Sequence, residues 1–274
     1  MGRRARERPG GGRCEGAAMT PAQAPRATRS HADELRVEKV TKRFGGLKVF
    51  EDLSFTLAPG DVMGVIGPNG AGKTTLINVI CGRLPPTSGK ISLGGRDVTA
   101  KPVHTLSRMG LVRSFQQTNT FRPASVSENI SRAIRFSGGS DEVRERIEDL
   151  LGRFDLSTRL DDQSDKLPYG LQKMLGLLLA YATSPKVLLL DEPAAGLEGR
   201  ERTRVDDFVA HARATLGCSV LIVEHDMDLI RRLCPRIMVL DAGRVIAEGA
   251  PAEVLARKDV IDAYVGATDD EVPA

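Results

Sequence analysis

Beyond residue 34, short apolar runs alternate with turn residues and with stretches of helical period. Residues 35–40 and 53–57 read as short strands, with Phe44-Gly45-Gly46 as a turn between them. Residues 62–66 form a compact apolar strand that runs straight into a glycine-rich loop, and a helix of about ten residues is predicted from Lys73. A further strand and turn occupy 90–98, with Gly94-Gly95 at the turn, and a strand follows at 111–115. From residue 118 to 166 the pattern becomes helical. Apolar residues at 143, 147, 150, 151 and 154 mark one face of a helix over 141–156, with Ser140 as its N-cap and Asp141 and Glu142 in its first turn. Strands return at 187–191, 219–224, 237–240 and 244–248, with helices between the first three. Strands alternating with helices predict a parallel α/β sheet covered on both faces, with 118–166 as a helical insertion.

Composition narrows the class of molecule. Of 274 residues, 41% are hydrophobic and 27% charged, which excludes disorder throughout. The longest near-continuous apolar stretch, 174–183, is about half the ~20 residues that a membrane-spanning helix needs. Thirty-nine Lys and Arg against 36 Asp and Glu give +3, too balanced for nucleic acid as the main partner. That excess falls entirely within residues 1–34, where seven Arg face four acids and large apolar side chains are nearly absent. The segment reads either as a disordered basic tail or as sequence ahead of a true start at Met19. No apolar run follows Arg3-Arg4 to make an export signal, so a soluble, unexported protein is expected. The cysteines at 14, 81, 218 and 234 form no CxxC pair, and the histidines at 31, 104, 211 and 225 are too scattered for a ligand set. Reduced thiols acting as small buried apolar groups are the expectation.

The strongest chemical signal is Gly67-Pro68-Asn69-Gly70-Ala71-Gly72-Lys73-Thr74, a full match to G-x-x-x-x-G-K-[ST] between a predicted strand and a predicted helix. Glycines let successive N–H groups point inward at a phosphate, and the helix start adds partial positive charge. Lys73 is placed to reach the β- and γ-phosphates, the Thr74 hydroxyl to join Mg²⁺, and Thr75 extends the nucleotide-contacting run. A second signal is the apolar strand 187–190 ending in Asp191-Glu192-Pro193. An acid at that strand end suits Mg²⁺, and Glu192 suits orienting or deprotonating an attacking water. A third strand ends in Glu224-His225-Asp226, offering His225 as a donor to the γ-phosphate and to that water. Gln116 offers an amide oxygen to Mg²⁺ or the water, and Phe44 offers a flat face for adenine, although the default for a lone Phe is the core.

In order and approximate spacing, Phe44, the 67–74 loop, Gln116, Asp191-Glu192 and His225 resemble the ATP-binding cassette (ABC) ATPases across residues 35–267. The family signature, usually L-S-G-G-Q, corresponds to Leu167-Pro168-Tyr169-Gly170-Leu171, with Pro168 in place of the serine and Leu171 in place of the glutamine. Glu198 stands where a small polar residue is common, and the stretch 173–182 is more apolar than is usual. The L-P-Y-G signature, the 189–197 run, the 42–47 run and the 260–266 run are most similar to the ATPase subunits of bacterial branched-chain amino acid importers.

The resemblance implies an α/β, P-loop NTPase (RecA-like) core, an N-terminal antiparallel β subdomain, and an α-helical subdomain inserted at 118–184. Residues 1–34 and 268–274 would be tails. It further implies ATP with Mg²⁺ held by Thr74, Gln116 and Asp191, catalysis by Glu192, His225 and Lys73, and a head-to-tail dimer. In that dimer Leu167, Pro168, Tyr169 and Gly170 would serve the nucleotide of the other subunit, which is either a second copy or a second ABC ATPase. Transmembrane permeases would hold the protein at the cytoplasmic face of the membrane, with a periplasmic binding protein as an indirect partner. Urea, other amino acids or lipid are alternative solutes. A non-transport ABC ATPase would call for a second cassette or a coiled-coil insertion, and a module that only binds ATP would lack the acid at 192.

Overall fold

The computed structural model describes residues 1–2, 33–114 and 123–269. Residues 3–32 of the expected basic tail, Gln116, Phe115 at the end of the 111–115 strand, and residues 270–274 lie outside the described residues.

In chain order the elements are β1 (Leu35–Phe44), β2 (Leu47–Leu57), β3 (Val62–Ile66), α1 (Lys73–Ile80), β4 (Ser88–Leu93), β5 (Arg96–Asp97), α2 (Val103–Arg108) and β6 (Leu111–Ser114). They continue with α3 (Val126–Phe136), α4 (Asp141–Arg153), α5 (Tyr169–Ala182), β7 (Val187–Asp191), α6 (Arg200–Leu216) and β8 (Ser219–Val223). The chain closes with α7 (Met227–Leu233), β9 (Arg236–Asp241), β10 (Arg244–Gly249), α8 (Pro251–Val254) and α9 (Lys258–Asp269).

The strands form two sheets. A four-stranded antiparallel sheet has the order β2-β1-β4-β5, and a six-stranded sheet has the order β10-β9-β3-β8-β7-β6. Every residue of β3, β7 and β8 is buried, which is why these strands read as unbroken apolar runs rather than alternating ones. One face of the second sheet packs on α5, α6 and the α3–α4 helices, and the other packs on α1 and the antiparallel sheet.

The second sheet departs from the expected all-parallel arrangement at one edge. The strand at 244–248 is present, but β10 runs antiparallel to β9. Only Ala242 and Gly243, both at positive φ, separate the two strands. A two-residue link can make only a hairpin, since a parallel neighbour needs a crossover of a dozen residues or more. The first hairpin is also longer than predicted, because β1 and β2 pair from Leu35↔Leu57 out to Phe44↔Leu47. Polar Lys48, Glu51 and Asp52 had hidden the start of β2. The first predicted helix is eight residues, not ten.

The face predicted for α4 is buried at Val143, Ile147, Leu150, Leu151 and Phe154. Ser140 Oγ accepts the Val143 N–H, but the helix stops at Arg153 because Asp155 turns into the left-handed region. A second cap went unforeseen. Ser125 and Glu128 form a reciprocal capping box at the start of α3. Cys81, Cys218 and Cys234 are free and buried, and burial pushes the Cys218 thiol up to about 11 and that of Cys234 up to about 12. Both thiols therefore stay protonated and unreactive at neutral pH.

Candidate nucleotide site

The site is assembled at one edge of the second sheet. Strands β3, β8 and β7 are parallel neighbours, with Val65 and Asp191 both in register with Val223. The segments that follow, starting at Gly67, Glu224 and Glu192, therefore leave side by side. The Glu192 N–H donates to Val223 O at 2.8 Å, which ties the segment after β7 to the end of β8. Open α/β sheets place ligands at this carboxyl edge.

Gly67 passes so close to β9 that a Cβ there would lie 2.0 Å from Leu240 O, and its φ is +150°. Only glycine fits this start of the loop. The first helical bond of α1 runs from Leu76 N–H to Gly72 O, which leaves the amides of Lys73, Thr74 and Thr75 without an acceptor in the helix. No side chain caps them. Lys73 Nζ curls over the loop and donates to Gly67 O at 2.6 Å and Pro68 O at 2.9 Å. Burial draws this ammonium below the usual lysine value, while the Glu192 and Asp191 carboxylates act in the opposite sense. Asn69, Gly70 and Thr74 are exposed, Ala71 is buried, and Pro68 and Thr75 are half-buried.

Asp191 is buried at the end of β7, and its Oδ2 accepts from Arg113 at 2.6 Å. Arg113 also donates to Asn78 Oδ1 at 2.6 Å, so β6, β7 and α1 are joined through one guanidinium. Asp191 Oδ1 is buried and has no partner. Burial raises the carboxyl pKa, and Arg113 pulls it back. A buried, unpartnered carboxylate oxygen is a donor of the hard-oxygen kind that Mg²⁺ takes together with phosphates.

Glu192 is held at φ +48°, a left-handed conformation rare for a residue with a Cβ and costing about 1–3 kcal/mol. Its neighbours over-determine it. Glu192 O accepts from Ala195 N–H at 3.2 Å and from Lys173 Nζ at 3.0 Å. His225 leaves β8 with its ring 65% exposed and Nδ1 3.7 Å from Glu224 Oε2. Glu224 itself is buried, and it accepts from the N–H groups of Ala194, His225 and Asp226.

Phe44 is not a core residue. It is 46% exposed at the end of the first hairpin, with the Lys42 ammonium 4.6 Å from its ring centre. The hairpin packs beside the loop, since a Cβ on Gly72 would sit 3.3 Å from Val49 and 3.4 Å from Phe50.

The 167–171 segment starts a different helix. Leu167 is buried, and Pro168 is the N-cap of α5 (φ −50°, ψ 146°). Extended backbone at Leu167, as a residue before proline prefers, sets that start. The first α5 bond runs from Gln172 N–H to Pro168 O, so the amides of Tyr169, Gly170 and Leu171 also lack a helical acceptor. Tyr169 is exposed and its hydroxyl donates to Ala195 O at 3.4 Å. Among the described residues, no hydrogen bond or ion pair joins 167–170 to 67–75.

Three residues of this neighbourhood escaped the sequence reading: Arg113, Lys173 and Glu224. The available signal was charge out of place. Each interrupts or directly follows an apolar run, in β6, α5 and β8 respectively.

The chain is similar to known proteins in sequence and fold. The profile described as "ABC transporter" matches residues 50–195, and one described as "Branched-chain amino acid ATP-binding cassette transporter" matches 244–270. The high-affinity branched-chain amino acid transport ATP-binding protein LivG of Escherichia coli K12 is 36% identical over 248 residues, 85% of this chain and 97% of LivG. BraF of Pseudomonas aeruginosa, bearing the same description, is 33% identical over the same shares. A crystal structure of an ATP-binding cassette of an ABC transporter in its ADP conformation superposes with a TM-score of 0.76 at 30% identity, covering 85% of this chain and 99% of that one. With its fold, its loop and its length matched together, the chain belongs to the ATP-binding subunits of ABC transporters.

Proposed function

We propose that this ABC ATPase powers the import of branched-chain amino acids. The observation that carries the reading is the match of 244–270 to the branched-chain profile, beyond the general ABC match and the relatives' names. The protein binds and hydrolyses ATP as its family does. Among the described residues, no helix is long and apolar enough to cross a membrane. We place it at the cytoplasmic face, held there by permease subunits, with a periplasmic binding protein delivering solute. The ATPase domain would span 35–267, with 118–184 as the helical subdomain facing the permeases.

In the proposed mechanism the free amides of 73–75 and the Lys73 ammonium hold the β- and γ-phosphates, and Phe44 stacks on adenine. Glu192 orients and deprotonates a water for in-line attack on the γ-phosphorus, and His225 donates to the γ-phosphate. The bond to the β-phosphate oxygen breaks, leaving ADP and phosphate. Thr74, Asp191 and Gln116 would hold Mg²⁺, which supplies charge neutralisation at the phosphates when bound. Leu167, Pro168, Tyr169 and Gly170 would meet the triphosphate of a second ATPase subunit, the same chain or a related one, through the bare amides of α5. ATP bridging two subunits favours their closure, and hydrolysis removes the bridge.

Affinity purification of the full-length chain from its native membrane, with its ATPase assayed in proteoliposomes, tests this reading. Two hydrophobic permeases should co-purify, and leucine with its binding protein should stimulate phosphate release. Stimulation by urea, another amino acid or lipid instead would overturn the solute, and absence of any permease would overturn the transport role.

A further inference from the structure

Lys173 lies in the second turn of α5, a helix that is otherwise almost wholly apolar, and its side chain is buried. A buried ammonium is tolerated only when its protons find acceptors. Nζ donates to Ala195 O at 2.6 Å, Glu192 O at 3.0 Å and Pro193 O at 3.5 Å. All three acceptors are main-chain carbonyls of the one loop that begins with Glu192. Across that loop the buried Glu224 carboxylate accepts the Ala194 N–H at 3.0 Å. A cation thus grips the carbonyls of the loop while an anion grips its amide. Lys173 also shares a small cavity with Ser114, Asp191 and Glu192. Burial lowers the Lys173 pKa, and the Glu224 and Glu192 carboxylates pull it back toward the charged form that the three bonds require.

An ordinary staple would hold the loop anywhere along its length. This one holds the carbonyl of Glu192 itself, on a residue kept at φ +48°. The direction of that peptide sets where the side chain leaves the backbone. We infer that Lys173 is a positioning residue for ATP hydrolysis, fixing the direction of the Glu192 carboxylate through the carbonyls of Glu192, Pro193 and Ala195, with Glu224 as the opposing grip. The inference rests on the proposed role of Glu192 as the group that activates water.

A double-mutant cycle on the full-length chain tests it, read by single-turnover and steady-state phosphate release and by equilibrium nucleotide titration. Lys173→Met keeps an unbranched side chain, one atom shorter, and removes its donors. It is expected to lower kcat about tenfold or more while KM and nucleotide Kd stay within about twofold. In a Glu192→Gln background the same substitution should cost nothing further, since nothing remains for it to position. Unchanged kcat in Lys173→Met, or the full tenfold loss persisting in the Glu192→Gln background, overturns the inference. Wild-type turnover in Glu192→Gln alone would remove the role of Glu192 and the inference with it, and that single variant tells the two failures apart. Should Lys173→Met fail to fold by circular dichroism, Lys173→Gln, which retains one amide donor, carries the same expected split.

Discussion

Helices α1 and α5 begin alike and are finished differently. Each has no side-chain cap, and each leaves three first-turn amides without a helical acceptor, at 73–75 and at 169–171. Both starts are therefore suited to an anion. At α1 the helix itself carries Lys73, and the neighbouring strands deliver two carboxylates and the Arg113 guanidinium. Around α5 the Lys173 ammonium turns inward to the 192–195 loop, and Tyr169 faces solvent. The anion closest to Gly170 is this chain's own Glu201, whose carboxylate would lie 1.9 Å from an added Cβ. A helix start alone supplies binding. It becomes a reaction centre only where a parallel sheet brings ionisable groups to the same edge, and on this reading α5 serves a site whose chemistry lies in another subunit.

The sharpest way to break that comparison is to remove chemistry at the α1 end without removing binding. Glu192→Gln should lower kcat by about 10²–10⁴-fold while leaving nucleotide affinity intact. Phosphate release alongside equilibrium titration checks both halves. Lys73→Ala should instead weaken nucleotide affinity by about 10- to 100-fold, as expected for a lost charged hydrogen bond. Equal affinity in that variant would mean that the loop amides suffice and that the lysine adds nothing to the difference between the two helices.

The glycines sharpen the contrast at smaller scale. Gly67→Ala drives a Cβ into the main-chain carbonyl of Leu240, which cannot swing aside, and should cost about 2–4 kcal/mol in urea unfolding. Gly170→Ala meets the movable end of the Glu201 side chain and should cost about 1 kcal/mol or less. Equal losses would show that the α5 start is as rigid as the loop. Smallest of all, Ser125→Ala removes the capping box of α3 and should cost about 1 kcal/mol, a drop in Tm of about 2–4 °C, with ATP hydrolysis by the chain unaltered.

Much of this was legible from local pattern. Strand β7 stands at its predicted bounds, and the loop at 67–74 lies between the strand and helix predicted to flank it. Such features depend on neighbours in the chain: an apolar run, a glycine count, a capping serine. The exposure of Phe44 was not legible, because an aromatic beside two glycines is as consistent with a core as with a rim. Nor was the antiparallel edge, since strand direction depends on the length of the link between β9 and β10, and periodicity does not encode it.

By itself the sequence determined the strands, the phosphate loop and the chemical types available, because backbone propensity and residue chemistry act over a few positions. Only the tertiary structure decided what those groups touch. It paired Arg113 with Asp191 and set Lys173 beneath Glu192, contacts spanning 78 and 19 positions of chain. Burial raised the pKa of Asp191 and lowered those of Lys73 and Lys173. Electrostatics between such groups depends on distance and on exclusion of water, and both are properties of packing rather than of order along the chain.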